Sequence, residues 1–226
     1  MAGEKTTRAG AVYTQIREEI FQGGLQPGQR LRLVELAQRF AVSQSVVREA
    51  LTRLAEQGLV SAAPQQGFSV VALSAGHLDE LTEARIEIEA LVLRRAVERG
   101  DIKWEAAAVA AHHHLASTPI SLPGGGLNGE WFAVHEVFHQ TLLSGCRNDR
   151  LLAVAMSLRD AATLYRRWSR PIGHDYDRDV ACEHRKLLDA VLARDATAAA
   201  DLLVQHIDRT TASLRAVIRS EGDRAH

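Results

Sequence analysis

Val42-Ser43-Gln44-Ser45-Val46-Val47-Arg48-Glu49-Ala50-Leu51-Thr52-Arg53-Leu54-Ala55-Glu56-Gln57-Gly58-Leu59-Val60 is the stretch on which the fold turns. Ser43 offers a hydroxyl to the free N–H groups of a helix start, and Val46, Val47, Ala50, Leu51 and Leu54 then recur at three- and four-residue steps, giving one apolar face. The polar remainder, Gln44, Ser45, Arg48 and Arg53, suits base edges and phosphates if this helix enters a major groove. Gly58 stops the helix and Leu59-Val60 begins a strand.

The flanks complete a unit. Leu33 to Phe40 read as a shorter helix joined to the first by the turn Ala41-Val42, which makes a helix-turn-helix. Upstream, Val12, Ile16, Ile20 and Phe21 mark an amphipathic helix closed by Gly23-Gly24 and the turn Gln26-Pro27-Gly28. Downstream, residues 59–63 and 68–73 flank Pro64-Gln65-Gln66-Gly67 as a hairpin. Three helices and a hairpin predict a winged helix-turn-helix over residues 12–73, preceded by a flexible arm at 1–11.

Leu25-Gln26-Pro27-Gly28, Leu36-Ala37, Val42 to Leu51, and Gly58-Leu59-Val60 followed by Gly67 together resemble the DNA-binding domain of the GntR family of bacterial transcription regulators. The resemblance implies that Ser43, Ser45 and Arg48 contact phosphates or bases, that Arg53 contacts the backbone, and that Gly67 lets the wing tip approach the minor groove. Arg32, beside the first helix of the motif, reads equally as a phosphate contact or a solvated surface residue. Gln44 departs from the family, which usually has Arg there. Arg is suited to guanine and Gln to adenine, so the operator is expected to differ at that base pair.

The 226 residues leave about 150 beyond one small winged helix, enough for a second domain with its own core. The net charge of -1 conceals a small asymmetry: residues 1–73 hold eight Lys/Arg against six Asp/Glu, and the remainder nineteen against twenty-two. A DNA-binding face needs only local positive potential, so the motif carries the inference rather than this balance. No apolar run reaches membrane-spanning length and residues 1–8 lack a secretory core, which predicts a cytoplasmic protein with no membrane role. Cys146 and Cys182 have no Cys-x-x-Cys spacing and read as thiols in the packing.

After a linker at 74–77 the pattern becomes helical throughout, with spans expected near 77–99, 102–117, 128–145, 148–169, 174–194 and 196–220. The fold class is therefore mainly α: a winged helix with a small β-hairpin, then an antiparallel bundle of about six helices over 78–220 and a tail at 221–226. The stretch Pro119 to Gly126 reads as a flexible surface loop or, alternatively, a lid.

Within the bundle, His135 and His139 lie four apart on an inward face with Phe132, Leu142 and Leu143. His184 opens the stripe Leu187-Leu188-Val191, and His206 sits on the stripe of Leu202, Leu203, Thr210 and Leu214. Four imidazoles on three inward faces can converge on one point, where they suit zinc, nickel or another late transition metal. His112, His113 and His114 fan around one helix, at most one can face inward, and all three are read as surface residues.

Glu83-Ala84-Arg85-Ile86-Glu87-Ile88-Glu89, Phe138-His139 with Asn148 and Leu151, Glu183-His184 and His206 resemble the FCD ligand-binding domain that follows the winged helix in one GntR subgroup. In metal-binding members an Asp and three His hold a divalent ion, with a carboxylate effector at or beside it. His139, His184 and His206 match the three histidines, and His135 stands at the Asp position. Imidazole in place of carboxylate leaves the ion more positive and shifts preference towards nitrogen-loving metals; the alternative is that three His bind alone. The resemblance assigns Arg85 to the effector's carboxylate, against an internal salt bridge with Glu89 or Glu87.

The expected function is a ligand-gated repressor that binds a palindromic operator as a homodimer and is controlled by a small carboxylate. Alternatives are a regulator with the metal itself as signal, and a zinc-dependent hydrolase fused to a DNA-binding domain.

Overall fold

The computed structural model describes residues 7–63, 67–123, 128–168 and 178–224. The chain divides into two compact units, Met1–Leu78 with Ser157–Ser169, and Asp79–Met156 with Arg170–His226.

The first unit opens with α1 (Arg8–Gln22), capped by the Thr7 side chain and closed by Gly23 at φ +82. This helix takes in the last residues of the expected arm, and residues 1–6 lie outside the described set. β1 (Arg30–Leu31), α2 (Leu33–Arg39), α3 (Gln44–Glu56), β2 (Val60–Ala63) and β3 (Gly67–Val70) follow. The α2–α3 turn contains Ala41 at φ +52, and Ser43 accepts a hydrogen bond from the Val46 N–H to start α3. Val12, Ile16 and Ile20 of α1 meet Val47, Ala50, Leu51 and Leu54 of α3 in one core, with Phe68 and Val70 from the sheet. Each large aliphatic side chain removed from water there stabilises the unit by about 1.5–3 kcal/mol.

The sheet is antiparallel in the order β1-β3-β2, with Leu31 opposite Phe68 and Ser61 opposite Ser69. The expected hairpin is present, but its second strand ends at Val70, and β1 adds a third strand that two residues are too few to announce by alternation.

The second unit contains α4 (Ala75–Arg99, whose first residues belong to the first unit), α5 (Ile102–Ser117), α6 (Gly129–Ser144), the start of α7 (Asp149–Trp168), α8 (Val180–Leu192) and α9 (Ala196–Arg224). Two boundaries differ from expectation. Ser74 caps the His77 N–H, so helix begins within the expected 74–77 linker, and α9 continues through most of the expected 221–226 tail. The later half of α7 packs with the winged helix: Leu164 is fully buried in that core and Arg17 pairs with Asp160 at 2.5 Å. A helical pattern states that a face is buried, not against which unit.

The bundle core runs through Val92, Leu93, Phe138, Leu142, Leu143, Leu187 and Leu203. Trp104 of α5 is its wedge. Its Nε1–H donates to the Thr141 carbonyl, and a Cβ on Gly145 would stand 2.7 Å from its ring. Asn128 caps α6 and ties back to Pro119 and Ile120, while residues 124–127 of the expected loop or lid lie outside the described set.

Candidate functional site

Two sites emerge, one in each unit. In the first, a concavity of about 590 Å³ lies between α2, α3 and the sheet. It brings together Arg32, Gln44, Arg48 and Gly67 from the sequence reading, and adds Arg30. Arg30 and Arg48 are exposed and, among the described residues, have no carboxylate partner, whereas Arg32 spends part of its charge on Glu35 at 3.0 Å. Gln44 and Ser45 are exposed in the first turn of α3, where backbone N–H groups point outward. Ser43 is also exposed and uses its hydroxyl as the helix cap. Arg53 lies over the Tyr13 ring at 4.5 Å, held beside α1 rather than in the concavity. Gly67 adopts φ +81 with open space where a side chain would stand, so the backbone there is free to approach a groove; residues 64–66 of the wing lie outside the described set. Sequence pattern missed Arg30 because β1 was too short to detect.

In the second unit α6 contributes His135 and His139, α8 His184 and α9 His206, all buried at 2–7% exposure. One nitrogen from each lies within 4.8 Å of the others. The Nε2 atoms of His135 and His139 are 3.2 Å apart, and those of His139 and His184 3.3 Å. Two nitrogens bound to zinc at about 2.05 Å with tetrahedral angles stand about 3.3 Å apart. Donor type and spacing thus fit a late transition ion, with the widest pair drawing inward.

The surroundings fix the rings. His135 stacks on Trp131 at 4.7 Å. His206 shares a 2.9 Å hydrogen bond with Glu183 through Nδ1, an arrangement that leaves Nε2 as the electron-pair donor. Glu183 also accepts from Arg178 at 2.6 and 2.9 Å and from Arg209 at 2.9 Å. Burial raises the Glu183 proton affinity, but the hydrogen bonds from His206 and Arg178 and the Arg178 charge outweigh it, holding the carboxyl well below its usual range. Burial pushes His206 down to about 4 against the pull of Glu183, and burial with the neighbouring His206 pushes His184 well below 6.5. Both are neutral at pH 7, the state that ligates. The roles of Glu183, Arg178 and Trp131 are visible only once the helices are placed.

Arg85 on α4 is 5% exposed and its Nε–H donates to Glu89 at 2.7 Å, the internal salt bridge that stood as the alternative. Only Nε is committed among the described residues; the terminal amino groups make no further hydrogen bond, and the Arg85 charge lowers the proton affinity of His206. His112 corrects the surface assignment: it is buried and stands edge-on to Phe138 at 5.5 Å, while His113 and His114 are exposed.

The family model described as "Bacterial regulatory proteins, gntR family" matches residues 8–70, and the FCD domain model matches residues 80–209. The HTH-type transcriptional repressor GlaR of Escherichia coli is 32% identical over 198 residues, which cover 86% of this chain and 90% of that protein. The uncharacterized HTH-type transcriptional regulator BphR of Paraburkholderia xenovorans is 32% identical over 216 residues, 91% of this chain and 84% of that one. Among solved structures, E. coli McbR/YncC shares the fold at a TM-score of 0.72 and 22% identity, covering 92% of this chain and 97% of that chain. No helix among the described residues is long and apolar enough to cross a membrane. The winged helix is thus a DNA-binding domain and the protein a transcription regulator rather than an enzyme: the chain belongs to the GntR family, with an FCD domain behind its winged helix.

Proposed function

We propose that this regulator is a cytoplasmic repressor that binds a palindromic operator as a homodimer and is released or retained by a small carboxylate held at a divalent metal site in the FCD domain. The observation that carries the reading is the buried set of four imidazoles with nitrogen spacings of 3.2 and 3.3 Å. His135, His139, His184 and His206 would hold zinc or nickel, which would supply a positive centre for an anion. Glu183 orients His206, Trp131 supports His135, and Arg85 offers its terminal amino groups to the carboxylate while Glu89 fixes its stem. On the DNA side, Gln44, Ser45 and Arg48 read bases and phosphates from α3, Arg30 and Arg32 face the backbone beside them, and Gly67 brings the wing close. Arg53 and Ser43 serve the backbone from the edges of this face.

The test is operator affinity, by anisotropy on DNA selected from random sequence, during titration with zinc or nickel alone and then with carboxylates. Carboxylate should change affinity only in metal-loaded protein, by a factor of about 5–150, and Arg85→Ala should abolish the change while retaining DNA binding. A full response without metal would refute the reading. A response to metal alone would favour the metal itself as signal, a second reading supported by the Arg85 pairing with Glu89.

A further inference from the structure

The gating mechanism leaves unused a second cavity of the helical unit, about 180 Å³ in volume, between α5, the segment that follows it, α6 and α8. Its wall is largely hydrocarbon, from Leu115, Ile120, Trp131 and Val180. Leu115 and Trp131 are deeply buried, so the wall is preformed rather than assembled from loose surface chains. Against it stand His112, itself buried, and Arg185, exposed and without an ion-pair partner among the described residues. Asp189 lies close enough for its charge, like that of Arg185, to act on His112.

This combination selects a ligand class. The volume equals that of about six waters in the liquid, which suits an acid of valerate or benzoate size and excludes nucleotides and acyl-carrier conjugates. An apolar wall requires an apolar body. One planar cation at the edge, tempered by Asp189, matches one carboxylate, while His112 supplies a ring nitrogen for a further hydrogen bond.

We propose that this cavity binds a small monocarboxylic acid with an apolar body, its hydrocarbon against Trp131, Leu115 and Ile120 and its carboxylate at Arg185. This acid is a second ligand, distinct from the carboxylate placed at the metal and Arg85, and its site goes beyond the gating reading. The cavity also touches the histidine cluster: His184 lines it, and Trp131 stacks on His135. An occupant therefore presses on two of the four candidate ligands.

Benzoate and valerate, with benzamide and valeramide as neutral counterparts, should be titrated into the full chain by calorimetry, once after metal removal and once loaded with zinc. At least one acid is expected to bind one per chain in the metal-free form and to keep that site when zinc is loaded, with its amide at least tenfold weaker. Arg185→Gln should remove that tenfold preference, and Ala116→Phe, which fills the cavity from its rim, should abolish binding. Absence of saturable binding by either acid, or binding indifferent to both substitutions, overturns the proposal. If carboxylates shift the operator affinity of zinc-loaded protein but neither acid binds the metal-free chain, the cavity assignment fails and gating stands. If acids bind as described and operator affinity never moves, gating fails and the cavity stands.

Discussion

Replacing Glu183 by Gln tests whether the histidine cluster is a metal centre or a set of packed rings. The carboxylate accepts from His206, twice from Arg178 and once from Arg209. Gln keeps the shape but removes the charge and places an amide N–H₂ against one of those donors. Loss of such a partner to a ligating imidazole typically weakens metal binding ten- to a hundredfold, about 1.4–2.7 kcal/mol. The metal-free fold also suffers, because the Arg178 side chain is only 8% exposed; losing charge-assisted bonds there costs about 1.5–3 kcal/mol. Zinc affinity by competition with a chromophoric chelator and stability by urea denaturation of metal-free protein separate the two effects. Arg209→Ala is the control: its side chain is 61% exposed, so it should cost less than about 1 kcal/mol and leave zinc affinity unchanged. A Glu183→Gln protein that is destabilised yet binds zinc like the wild type would refute the metal centre's dependence on this bond.

Gln44→Arg should move the preferred base at the contacted pair from adenine towards guanine by about 1–3 kcal/mol in competitive selection; operators indifferent to the change would remove Gln44 from the reading set. Arg30→Ala should weaken all operators alike and lower the slope of log affinity against log salt by about one, and an unaltered slope would place Arg30 away from phosphate. Gly145→Ala forces a Cβ to within 2.7 Å of Trp104 and should lower stability by about 1–3 kcal/mol, read as a fall in the urea midpoint. In the metal-free protein His206 is lowered from 6.5 to about 4 and His184 is lowered too, so unfolded chains bind more protons across that window. Stability present above pH 6.5 should therefore be lost as pH falls towards about 4, and a denaturation series flat over that range would contradict the buried neutral rings.

The winged helix was legible because its signals are local: Ser43 caps, Leu51 and Leu54 repeat, and Gly58 stops, each within a few residues of the next. Inward placement of the four histidines was equally legible from helical spacing. What sequence left open depended on which face meets which. Arg85 kept two readings until Glu89 was placed at 2.7 Å, because a buried guanidinium at helical spacing needs a partner but does not name it. Three consecutive histidines cannot all point inward, and spacing alone places none of them there; the contact with Phe138 selects His112. The second half of α7 reads as bundle for the same reason, its periodicity being blind to the winged-helix core that buries Leu164.

Charge links the histidine cluster to the arginines around it. Arg85 is offset by Glu89 and Arg178 by Glu183, so the buried ionic groups around the cluster already cancel in pairs. Four neutral imidazoles add no charge, whereas a carboxylate in place of His135 would have contributed one. A divalent ion at this site would bring its charge into a low-dielectric interior where, among the described residues, Glu89 and Glu183 are already paired with arginines. An anion on the ion would offset that charge, and by linkage each then tightens the other. Substituting His135 for the expected Asp thus does more than alter metal preference. On the proposed reading it would make a carboxylate, or another anion from solution, part of what lets a metal stay.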